Sequence, residues 1–172
     1  MIRAAFSRLW RGLTTWPDLG GWGFSALVGA LTLAAMAAVG FSSGFYHLSE
    51  GDFTGWPLKL LIVFIAPGLG EELPFRGLLI PDRTENPRPW WTIFVVTICF
   101  TAWHVVEGET FMARAMMTFL RPDFLACAAI LGLGCAIVRW RTGSVWPAVA
   151  LHWGVVVVWL TWFGGAGLEG LQ

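Results

Sequence analysis

Five stretches of roughly twenty mainly apolar residues, the length a helix needs to cross a bilayer, dominate this chain: residues 22 to 41, 57 to 80, 90 to 106, 123 to 140 and 145 to 163. Among its 172 residues 56% are apolar and 13% charged, whereas charged residues make up about 25% of a soluble domain. A soluble core this apolar would leave too few polar side chains to cover its surface. The expected fold is therefore all-α: a polytopic transmembrane helix bundle of about five spans, forming one domain over residues 21–172. A short amphipathic, interfacial segment precedes it over residues 1–20, where Arg3, Arg8 and Arg11 alternate with Ile2, Phe6, Leu9 and Trp10. That segment lacks the uninterrupted apolar region of a signal peptide.

Orientation follows from the bias of Lys and Arg towards cytoplasmic loops. With the N-terminus inside, Arg3, Arg8, Arg11, Arg83, Arg88, Arg139 and Arg141 all lie on the cytoplasmic side, against Lys59, Arg114 and Arg121 outside. The C-terminal tail GLEGLQ is then external. The expected location is a bacterial inner membrane, with lipids as the surrounding partner. Formal charge is zero, and no basic run suggests nucleic acid. Cys99, Cys127 and Cys135 lie in apolar segments without metal-type spacing and read as small core hydrophobes. Many of the twelve Trp stand near span ends, as interfacial anchors do.

Away from the span ends, at bilayer depth, five ionisable residues interrupt the apolar runs: Glu71, Glu72, Arg76, His104 and His152. Each costs roughly 2.5–3.5 kcal/mol at bilayer depth on insertion scales, so a partner or a purpose is required. In Glu71-Glu72-Leu73-Pro74-Phe75-Arg76 the i,i+4 spacing places Glu72 and Arg76 on one helix face, where they can pair. As a buried ion pair they would have a structural role. Glu71 is rotated about 100° away and has no such explanation, which makes it a candidate for proton transfer. Pro67, Gly68, Gly70 and Pro74 surround the pair and free backbone groups that a membrane obliges neighbouring helices or a wet cavity to satisfy. His104, with Phe100 one turn earlier, and His152, about one and a half turns into the last span, add an imidazole on each of two further helices. A membrane histidine alone is often an interhelical hydrogen bonder; two histidines and an acidic pair on three helices suggest a site.

These residues resemble the CPBP intramembrane proteases, the group of CAAX-processing endopeptidases and bacteriocin-processing, self-immunity or lysostaphin-resistance-like proteins, over roughly residues 57–163. Glu71, Glu72 and Arg76 match the EExxxR motif, Phe100 and His104 match FxxxH, and His152 matches the histidine of the third motif. The resemblance implies endopeptidase cleavage of a membrane-associated or lipid-modified substrate. Glu71 and His104 would activate a water, and His152 would polarise the scissile carbonyl or stabilise the oxyanion. Glu72 and Arg76 would support the acidic helix. Prenylated proteins, leader-bearing peptides and sorting tails all fit.

The third motif often reads HxxxN, whereas Val156 stands four residues after His152. Losing one oxyanion donor costs about 10²- to 10³-fold in rate. Either another donor substitutes, the indole N–H of Trp103 or Trp153 being the candidates, or activity is weak or absent. In the second case the chain is a non-catalytic membrane protein that acts by binding; a small proton-coupled transporter using Glu71 and Glu72 is a further alternative. Glu71, His104 and His152 could also hold zinc, with the fourth position open to water. The H-E-x-x-H signature is absent, and glutamate-activated water without a metal is the preferred reading.

Overall fold

The computed structural model describes residues 2–51, 53–110 and 116–165. Asp52 and Arg114, the latter used in the charge count, and the C-terminal tail assigned to the outside lie beyond the described residues. Helix α1 (Ile2–Thr14) leads to α2 (Leu19–Ser42) and α3 (Trp56–Val63), which runs on into two π-helical segments, π1 (Phe64–Glu71) and π2 (Leu73–Leu78). Four helices follow: α4 (Trp90–Thr110), α5 (Met116–Phe119), α6 (Pro122–Thr142) and α7 (Trp146–Trp162). No strand occurs among the described residues.

Helices α2, α4 and α6 are long and apolar enough to cross a membrane, and the apolar α7 is shorter, at 17 residues. The stretch from 57 to 80 follows one helical path but changes winding at Phe64. Pro67 has no N–H to give to Val63, four residues back, and its ring crowds that carbonyl. The chain widens instead into turns closed five residues apart. Gly68 and Gly70 fit there because a Cβ would come within 3.1 Å of the Val63 carbonyl oxygen and 3.3 Å of that of Ile65.

Helix α6 is the hub, packed against α2, α4 and α7. It buries Phe124, Cys127, Leu131, Cys135 and Val138 together with Gly132 and Gly134. Small residues let helix backbones approach closely where lipid offers no hydrophobic drive to associate; Gly134 admits Thr32 of α2 in this way. Cys127 and Cys135 are core residues, as expected, but Cys99 is exposed on the outer face of α4. Gly143, at φ 70°, ends α6 in a left-handed cap whose N–H returns to the Arg139 carbonyl, and the tight turn delivers Pro147 into the first turn of α7.

The N-terminal segment forms an amphipathic helix, one side of which packs against the rest of the chain. Phe6 and Trp10 are exposed, while Arg8, Leu9 and Gly12 meet the protein.

Candidate active site

The change of winding carries the two adjacent carboxylates to different neighbours. Glu72 and Arg76 are fully buried and His152 nearly so. Arg76 Nη1 lies 3.0 Å from Glu72 Oε1, the pair that the i,i+4 spacing predicts. The same oxygen accepts a hydrogen bond from His152 Nδ1–H at 2.8 Å. Arg76 Nη2 donates to the Gly132 carbonyl of α6 at 3.0 Å, and its guanidinium sits 4.0 Å from the centre of the Phe100 ring on α4. Cation–π stabilisation of this kind is greatest when the site is dry. One buried cluster thus ties π2, α4, α6 and α7 together. Gly132 is what permits it, since a Cβ there would stand 2.8 Å from Phe100 Cδ1 and 3.2 Å from Arg76 Nη2.

Glu71 faces the other way. Its Oε2 lies 3.9 Å from Nε2 of His104, with both side chains close to nine-tenths buried, and this oxygen has no hydrogen-bond partner among the described residues. His104 Nδ1 is 2.9 Å from the Phe100 carbonyl. A carbonyl only accepts, so Nδ1 carries the proton and, in the neutral ring, the Nε2 lone pair is directed towards Glu71. The ring is held edge-on against Phe100, Phe119 and Phe124, at centroid separations of 4.8, 5.8 and 5.4 Å. Phe100 therefore fixes His104 through both its carbonyl and its ring, and stands between His104 and His152, whose ring centre is 5.8 Å away.

A third group joins them: Glu107 lies just past the apolar stretch that ends at residue 106, but α4 continues to Thr110. Glu107 is then one turn beyond His104, and ligand atoms of Glu71, His104 and Glu107 all lie within 4.8 Å of one another. The i,i+3 spacing of His104 and Glu107 was the available signal. Among the described residues these three lie within a metal's reach of one another, whereas His152 Nδ1 is bonded to Glu72.

The π turns from Phe64 to Glu71 use more residues per turn than an α-helix, so the chain advances less per residue, and Glu71 stands beside His104.

Neither proposed substitute for the missing asparagine is free to serve. The Trp153 indole donates to the Leu60 carbonyl at 3.0 Å, and Trp103 bonds to Glu107. Val156 packs with Val63, Val157 and Leu160 in a purely apolar cluster. Two surface grooves, of about 500 and 460 Å³, lie by Trp16 and Arg141 and by Arg83 and Trp140, and none of the candidate residues lines them.

A carboxylate and an imidazole buried side by side among helices apolar enough to cross a bilayer are features of an integral membrane protein. The model of the family described as Type II CAAX prenyl endopeptidase Rce1-like matches residues 53–158, which include every candidate residue. That match covers more than half of the chain, and the chain belongs to this family of membrane proteases. No curated protein and no solved structure matches the chain. Family membership makes it an intramembrane endopeptidase with a peptide or protein substrate in the membrane.

Proposed function

We propose that Glu71 and His104 position and deprotonate a water that attacks the scissile carbonyl, while His152 polarises that carbonyl. The observation that carries this reading is the pairing of the free His104 Nε2 with the unbonded Glu71 Oε2 at 3.9 Å. A water between them can hydrogen-bond to both acceptors, giving one proton to the pair as a lone pair on its oxygen attacks and keeping the other proton. The carbonyl carbon gains the water oxygen, the C–N bond breaks, and the proton taken up by the Glu71–His104 pair passes to the leaving amine.

His152 has a more demanding task. With Nδ1–H given to Glu72, it offers an Nε2–H to the carbonyl oxygen only when both ring nitrogens carry protons. The Glu72 carboxylate is the counter-ion for that form, and Arg76 holds Glu72 in place. Since Val156 supplies no donor, His152 bears the developing oxyanion alone, and turnover is slow relative to a site with the extra donor.

The water is activated without a metal. If a divalent cation takes part, Glu71, His104 and Glu107 are the groups that would hold it, and it would supply a more acidic bound water. The proposed steps use only the chain's own side chains. The substrate class follows the family's description: a protein with a prenylated C-terminal tail, cut where the lipid anchors it. In the proposed topology the stretch through α3, π1 and π2 and the short α7 join α2, α4 and α6 as five spans, with α1 on the cytoplasmic face of a bacterial inner membrane.

The test is cleavage of a prenylated peptide by purified protein in lipid nanodiscs, wild type against Glu71→Gln, with metal content measured on the same samples. Loss of cleavage in the variant, with metal-free wild type active, is the expected result. Equal cleavage by both would remove Glu71 from the mechanism. Activity that disappears with a chelator and returns with zinc would replace the metal-free route.

A further inference from the structure

Helix α1 lies outside the 53–158 region that defines the family, yet it makes specific contacts with both elements that carry the buried cluster. Arg8 Nη1 donates to the Leu78 carbonyl at 2.8 Å and approaches that of Leu79 at 3.4 Å. These are carbonyls at the C-terminal end of π2, where intrahelical donors have run out. Arg8 Nε and Nη2 both reach Glu85 Oε2 at 2.9 Å, and Arg11 pairs with the other oxygen of Glu85. Leu9 packs over Gly77, where any Cβ would collide with its Cδ1. On the opposite side, Val145 N–H donates to the Gly12 carbonyl at 3.0 Å and the Trp146 indole donates to the Leu13 carbonyl at 2.9 Å. Arg139 of α6 completes the joint: its Nη2 reaches the Arg8 carbonyl at 3.4 Å, and its guanidinium lies against Gly12, where a Cβ would stand 3.2 Å from Nη2.

The two elements joined in this way are π2, which follows Glu72 and contains Arg76, and the start of α7, which carries His152 six residues on. Their relative position decides whether Glu72 meets His152 at 2.8 Å. Wide π turns lack the packing of an α-helix and need outside support to hold one register. Isolated exposed ion pairs contribute little; here the Arg8 fork is about one-fifth exposed and also satisfies backbone carbonyls, which makes it a geometric constraint as well as an attraction. The outer face of α1 carries Phe6 and Trp10, 61% and 69% exposed, the pattern of a helix that lies along a membrane surface.

We infer that α1 is a clamp that sets the register of the acidic π segment against α7, and that Arg8 is a positioning residue for the site. A misplacement of about 1 Å can cost about 10²-fold in rate, so partial release gives a smaller loss. The kinetic consequence rests on the endopeptidase reading; the structural one does not. The experiment uses the full chain in nanodiscs, reading amide hydrogen exchange and steady-state cleavage for Arg8→Gln, Arg8→Lys and Gly12→Leu.

Arg8→Gln and Gly12→Leu are expected to raise exchange across residues 73–85 and 145–150 by about tenfold, leaving α2 unchanged. They are also expected to lower kcat about tenfold with KM constant, and Arg8→Lys to recover most of both. Exchange unchanged in these segments, or raised equally in α2, overturns the clamp. If wild type cleaves nothing, the endopeptidase proposal fails and exchange alone still decides the clamp.

Discussion

Glu71 and Glu72 are neighbours in sequence and opposites in environment. Glu72 sits in a dry cluster with one oxygen shared by Arg76 and His152, a set in which removing one member strands a charge. Glu71 lies at the edge of that core, facing an imidazole 3.9 Å away with an oxygen left unbonded. Each carboxylate keeps one oxygen without a hydrogen bond among the described residues; the difference is that Glu72 is held by a guanidinium and an imidazole at 3.0 and 2.8 Å, whereas Glu71 has only the more distant His104 ring beside it. The comparison teaches that one step along the chain separates a carboxylate held by two side chains from one that faces a single imidazole.

The sharpest way to break the comparison is Arg76→Met. It leaves the Glu72 carboxylate buried without its cation, and removing one partner of a buried pair costs about 3–5 kcal/mol. The expected outcome is a large drop in the thermal unfolding midpoint, read by tryptophan fluorescence in detergent. A drop smaller than that of a surface substitution would show that Glu72 does not need the guanidinium.

Glu71→Gln, by contrast, should leave that midpoint nearly unchanged while cleavage falls about 10³-fold, roughly 4 kcal/mol in the barrier. Equal destabilisation by the two variants would erase the division between the carboxylates.

A milder probe is Gly132→Ala. The added methyl would press on both Phe100 and Arg76, and overpacking of this kind costs about 1–3 kcal/mol. Because Phe100 also holds His104, the variant should lose stability and rate together. An unchanged unfolding midpoint would mean that the cluster relaxes freely.

The smallest effect concerns the loop beneath the site. Burial alone would raise the pKa of Asp82. Hydrogen bonds from the Thr84 hydroxyl and from the Glu85 and Thr84 N–H groups, with Arg139 nearby, hold it below the usual carboxylate value. A lowered folded value means that Asp82 contributes stability above its unfolded pKa of about 3.9 and loses it as pH falls through the lower folded one. Amide exchange at Thr84 and Glu85 should therefore accelerate only below about pH 4. Acceleration between pH 7 and pH 5 would point to a different group.

Much of this was legible in the chain. Runs of apolar residues specify helices and a membrane, because an unpaired backbone cannot cross lipid in any open form. The spacing of Glu72 and Arg76 fixes a local pair, and the order EExxxR, FxxxH and a later histidine marks the family. Residues along one helix keep their relations whatever packs around them, so such features survive without coordinates.

Which histidine meets which carboxylate was settled only by tertiary packing, since it depends on the rotation and height of three helices. The two prolines shift the winding to π turns, altering both in a way that a count of 1.5 Å per residue misses. The extension of α4 to Thr110 brought in Glu107, and folding α1 back onto π2 turned a membrane-surface helix into a neighbour of the site. Sequence determined the charged groups this protein carries into the membrane; the contacts between helices decided that Glu72 is held by Arg76 and His152 while Glu71 faces His104.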